Sequence, residues 1–159
     1  MRKLIPALAV AIAAAVPVVS IAAAHTDTER FSLIDTSATA PNPAFSVIAT
    51  GAFTDAGTAT VPSKGVFVLH LSAGTITLHT EKKAAHNTKT QTATACMQTQ
   101  TKHGGYTIAG GTGAYQGITG SGRAALVATF VEQARNGTCA SSFTAVQAIV
   151  TASGPVTLS

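Results

Sequence analysis

The chain has 159 residues, 46% of them apolar and only 10% charged, with no tryptophan and a formal net charge of +4. Arg2 and Lys3 belong to an apolar leader, so of ten basic residues eight remain beyond residue 24 against six acidic ones, a net of +2. Only Lys82 and Lys83 are adjacent. This excludes the continuous basic stripe that neutralises a phosphate backbone, and nucleic acid is not an expected partner.

Residues 1–24 read as a signal peptide. Arg2 and Lys3 supply the charged start, Leu4 to Ile21 the uncharged stretch, and Ala22-Ala23-Ala24 a small-residue cleavage site before His25. The stretch is long enough to cross a bilayer. Alanine dominates it and Pro6 and Pro17 interrupt it, so cleavage is expected, with a secreted domain over residues 25–159 and no stable membrane insertion afterwards. A chain of that size closes one core and forms one domain. In an exported chain the only two cysteines, Cys96 and Cys139, are expected to form one disulfide, worth about 4 kcal/mol in the loop-entropy picture. Neither sits in a CxxC pair or beside histidines, so no metal is expected there.

Beyond the leader, apolar residues recur at every second position and no window sustains a 3.6-residue period, which predicts β-structure throughout. Phe31 to Thr36 reads as a short strand, and the Ser/Thr/Ala/Pro stretch 36–44 as a connection. Phe45, Val47, Ala49, Gly51 and Phe53 share one face of the next strand, with turn chemistry at Asp55-Ala56-Gly57. Val66 to Leu71 and Thr75 to Glu81 form the clearest hairpin. A two-residue turn at Ala73-Gly74 sets Leu71 opposite Ile76 and Leu69 opposite Leu78, and leaves His70, His79 and Glu81 on the other face.

In that register His70 and His79 are diagonal neighbours about 7 Å apart, with Glu81 two positions on. Two imidazoles and a carboxylate suit a divalent metal or an acid/base pair. Their face, however, is the solvated one, where the plainer expectation is three ordinary surface residues, and a one-residue slip would turn them inward. Residues 88–101, 123–132 and 142–152 alternate as further strands, with a short last one at 156–158. About eight strands, few charges and no long helix predict an all-β fold, a single antiparallel eight-stranded barrel, because closure removes edges that so few charges could not protect.

Residues 106–122 hold six glycines, Gly110, Gly111, Gly113, Gly117, Gly120 and Gly122, a density expected of a tight turning connection. Tyr115 and Ile118 are its apolar plugs, and Tyr106 and Tyr115 are candidates to line a pocket with their hydroxyls inside. Gly120-Ser121-Gly122-Arg123-Ala124-Ala125 has dinucleotide-loop spacing. It lacks the preceding apolar strand and the later acid, and no Gly-x-Ser-x-Gly occurs, so neither a cofactor nor a serine hydrolase is expected.

Gly110-Gly111-Thr112-Gly113-x-Tyr115, followed by Gly117 and Gly120, resembles the glycine-rich signature of the allene oxide cyclase and dirigent-like barrels. Small secreted bacterial members are the nearest likeness, with a cysteine-bearing loop and an ending similar to Ser153-Gly154-Pro155-Val156. The resemblance implies an eight-stranded antiparallel barrel, and an interior that in plant members guides cyclisation or coupling of reactive, largely apolar intermediates. It carries over no catalytic residue. Three functional classes follow: a barrel holding a small apolar molecule, an isomerase or cyclase of a lipid-like or phenolic intermediate, and a non-catalytic envelope or surface protein.

Overall fold

The structure, a computed structural model, describes residues 25–35, 44–81, 86–92, 96–135 and 138–159. The predicted signal peptide and most of the 36–44 connection lie outside these residues. Nine strands follow in chain order: β1 His25–Asp35, β2 Phe45–Thr50, β3 Asp55–Ser63, β4 Val66–Leu71, β5 Gly74–Thr80, β6 His86–Thr92, β7 Met97–Gly111, β8 Thr119–Arg135 and β9 Thr138–Leu158. A 3-10 turn, Gly113–Tyr115, lies between β7 and β8.

The strands pair antiparallel in the order β5-β4-β3-β2-β1-β9-β8-β7-β6, and a further β5–β7 pairing closes all but β6 into an eight-stranded barrel. This is the expected all-β architecture. The two-residue alternation decides which side chains enter: Phe31 and Leu33 point in from β1 while Arg30, Ser32 and Ile34 face out. Phe31, Leu33, Val47, Leu69, Ile76 and Ile118 are each at most 1% exposed. Burying side chains of this size contributes roughly 1.5–3 kcal/mol apiece.

One edge of β7 serves two partners, β5 and β6, while β8 takes the other edge. The end of β7, Tyr106 to Gly111, pairs with β5, while Met97 to His103 pairs with β6. Strands β7, β8 and β9, at 15, 17 and 21 residues, therefore run past the barrel and form a four-stranded apron with β6. The Cys96–Cys139 disulfide, Cα–Cα 5.3 Å, fastens the start of β7 to the start of β9.

Four local expectations change. Asp55-Ala56-Gly57 is not a turn but the start of β3, with the turn displaced to Gly51–Thr54, because Asp55 spends its carboxylate on the distant β4–β5 turn. The hairpin turns at Ser72-Ala73, so Leu71 faces Gly74 and Leu69 faces Ile76, a two-residue shift that preserves both faces. Residues 88–101 divide between β6 and β7. Strand β9 runs on through Gly154-Pro155 to Leu158 instead of restarting, with Pro155 opposite Thr28.

Candidate functional site

Four inner-face positions fall in one row across β1, β9, β8 and β7. Glu29 is opposite Gly154, Gly154 abuts Gly122, and Gly122 is opposite Tyr106. A Cβ on Gly122 would stand 2.2 Å from the Ser153 carbonyl oxygen, and one on Gly154 2.2 Å from that of Ser121. The backbones of β8 and β9 are too close for any side chain, so glycine is required at both. The result is a flat floor with a carboxyl at one edge and a phenol at the other.

Both groups are sealed from solvent, Glu29 at 0% and Tyr106 at 1% exposure. Glu29 Oε2 accepts the Phe53 N–H at 3.1 Å. Glu29 Oε1 and the Tyr106 hydroxyl have no hydrogen-bond partner among the described residues. Each orphaned polar atom costs roughly 1–3 kcal/mol, and more where it carries charge. Burial pushes the Glu29 carboxyl above its ordinary range, opposed by the backbone N–H groups of Phe53, Arg30, Thr50 and Ala52. Burial also pushes the Tyr106 phenol up, and the charge of Glu29 adds to that. A desolvated carboxyl that holds its proton more tightly, across from a phenol, can donate to or accept from a third polar group. Phe31 sets the Tyr106 ring by an edge contact, centroids 6.5 Å apart at 84°.

Asp55 closes the end of the barrel nearest Glu29. Its carboxylate accepts the Ser72 N–H at 3.1 Å, the Ser72 hydroxyl at 2.5 Å, the Ala73 N–H at 3.1 Å and the Tyr115 hydroxyl at 2.5 Å. Ser72, then Tyr115, hold that carboxyl well below the usual carboxylate range. Burial first, and the Asp55 carboxylate second, push the Tyr115 phenol well above its ordinary value. Ala114 N–H donates to the Ala73 carbonyl at 2.9 Å, so the 3-10 turn is strapped across the β4–β5 turn. Tyr115 stacks obliquely on Phe53, centroids 4.8 Å apart, and with Ile118 plugs this end.

The opposite end is open. Below the last β5–β7 pair, Thr80 with Tyr106, the strands part around a recess of about 740 Å³. Val61, Phe67, Leu126 and Val150 give it an apolar lining, and Lys64, Glu81 and Lys102 a charged rim. It reaches Gly104 and Ala124, the pair one step along the same face from Tyr106 and Gly122.

The histidine pair expected from sequence does not assemble. His70 is opposite Thr75 and His79 opposite Val66, near the two ends of the hairpin, because the turn sits one residue earlier than expected and the pairing shifts by two. Both are exposed, and His70 Nε2 lies 3.3 Å from Thr60 Oγ1. Glu81 lies instead over Gly105, on the recess rim. Among the described residues no three His, Cys, Asp or Glu side chains gather as metal ligands. Tyr106 and Tyr115 both point into the barrel. Of the six glycines, Gly113 opens the 3-10 turn and Gly117 follows it, at φ 63° and 79°, while Gly110 and Gly111 lie in β7 and Gly120 and Gly122 in β8.

Glu29 and Asp55 are the members of the candidate site that the sequence did not single out. Glu29 did carry a signal, since it stands in phase with Phe31 and Leu33 and so on the buried face of β1. Among the described residues no helix is long and apolar enough to cross a membrane. Comparison with protein-family models, with curated proteins and with solved structures finds no match to this chain.

Proposed function

We propose that this is a secreted barrel that holds a small, largely apolar molecule, entering through the recess and turning one polar group toward Glu29 and Tyr106. One observation carries the reading: two buried polar atoms without hydrogen-bond partners among the described residues, Glu29 Oε1 and the Tyr106 hydroxyl, stand at the two edges of a glycine floor, one step along the same face from the Gly104–Ala124 pair that lines the recess. Native interiors rarely leave such groups unpaired, and a ligand oxygen able to accept from Tyr106 and receive a proton from Glu29 removes both penalties together. The disulfide fits the oxidising surroundings of an exported protein.

Isomerisation or cyclisation of the bound molecule is the second reading. It is favoured by burial, which raises both groups and so shifts the Glu29 carboxyl and the Tyr106 phenol toward their proton-bearing forms. The glycine signature's resemblance to allene oxide cyclase and dirigent-like barrels points the same way, as an analogy of fold. Fluorescence titration with a panel of apolar probes tests the binding claim. Saturable binding that falls at least tenfold in Glu29→Gln and in Tyr106→Phe, both retaining the wild-type circular dichroism, is expected. Absence of saturable binding across the panel overturns it.

A further inference from the structure

The outer wall of the barrel carries a second recess, unrelated to the interior row. Arg30 on β1 is opposite Ser153 on β9, and Ser153 is opposite Arg123 on β8. Strands lie about 4.8 Å apart, so two guanidinium groups rise from positions about 10 Å apart on either side of one hydroxyl. The next row along the same face is Ser32, Thr151, Ala125 and His103. These residues, with Ala124 and Ala152 beneath, line a shallow recess of about 350 Å³ that contains no carboxylate.

Two like charges flanking one position of an exposed sheet repel each other. Among the described residues neither arginine is joined to an acid. The Glu81 carboxylate lies over Gly105, the residue opposite Arg123, and so stands on the side of Arg123 away from Ser153 and Arg30, at the rim of the other recess. The two guanidinium groups on either side of Ser153 have a chemical use. Planar guanidinium forks offer paired N–H donors matched to oxyanion geometry, and Ser153, Thr151, Ser32 and the His103 ring add neutral donors around them.

We infer that Arg30, Arg123 and Ser153 form a site for a phosphate or sulfate group, free or as the head of a larger molecule. The interior reading plays no part in this. Arginine side-chain NMR during titration with inorganic phosphate tests it, with co-sedimentation on vesicles of neutral phosphatidylcholine, alone or mixed with an anionic phospholipid, as the second arm. Saturable shifts of the Arg30 and Arg123 Nε–H signals are expected, with binding weakened at least tenfold in Arg123→Gln and severalfold in Arg123→Lys. A response to free phosphate identifies a small-ion site, and a response to anionic vesicles alone identifies a lipid headgroup; either is carried by these residues only if Arg30→Gln and Arg123→Gln each weaken it at least tenfold. No saturable shift and no vesicle binding, or equal binding by the folded Gln variants, would overturn the inference.

Discussion

Replacing Glu29 with Gln asks whether the buried carboxyl is a burden that function retains or a strut that the fold needs. Glutamine keeps an oxygen for the Phe53 N–H and removes the charge that burial opposes. The folded-state pKa lies above the ordinary carboxyl value of about 4.3, so the native state binds the proton more tightly than the unfolded chain. The stability linked to that proton is fully present below about pH 4 and is lost as pH rises through the folded value. An uncompensated buried group costs roughly 1–3 kcal/mol. For a domain of this size each kcal/mol moves Tm by about 3–4 °C. Thermal unfolding followed by circular dichroism should therefore show Glu29→Gln about 3–10 °C above wild type near pH 7.5, with the difference vanishing near pH 4. A variant less stable than wild type by the same margin at both pH values would show that Glu29 serves as an ionised acceptor for the β2–β3 loop, and would refute the reasoning.

Tyr106→Phe removes an orphaned hydroxyl and keeps the ring contact with Phe31, so denaturant titration should find it neutral or up to about 1–3 kcal/mol more stable, while apolar-ligand binding weakens. Gly122→Ala drives a methyl into the Ser153 carbonyl, and urea unfolding should show a loss of at least about 1–3 kcal/mol, or no folded protein. The Asp55 carboxyl sits below its ordinary value, so its contribution is present above about pH 4 and is lost as pH falls further; Asp55→Asn should flatten the acid limb of the stability profile. Reducing the Cys96–Cys139 bond, 43 residues apart in sequence, should lower stability by up to about 4 kcal/mol in guanidinium titrations, with the barrel strands retained.

The barrel was legible because alternation alone assigns faces: Phe45, Val47 and Ala49 are buried while Ser46, Ile48 and Thr50 are not. Hairpin faces were legible for the same reason, and the register was not. The Ser72-Ala73 turn is chosen by Asp55, seventeen residues away from Ser72, which no local pattern reveals. That single long-range contact also accounts for the dispersed histidines and for the turn wrongly placed at Asp55-Ala56-Gly57. The glycine segment was read as one connection, yet Gly122 works inside a strand, where its partner Gly154 comes from the far end of the chain. The polar row needed the pairing of four strands, and so the site lay beyond a linear reading even though Glu29 stood in the buried phase.

Native mass spectrometry of the protein, isolated from its producing cells or their medium without organic solvent, tests the central claim most directly. A folded species carrying one small molecule is expected, with the molecule released when Tyr106→Phe or Glu29→Gln weakens the interior row. An apo mass for the wild type, unchanged after exposure to apolar ligands that saturate other barrels, would contradict it.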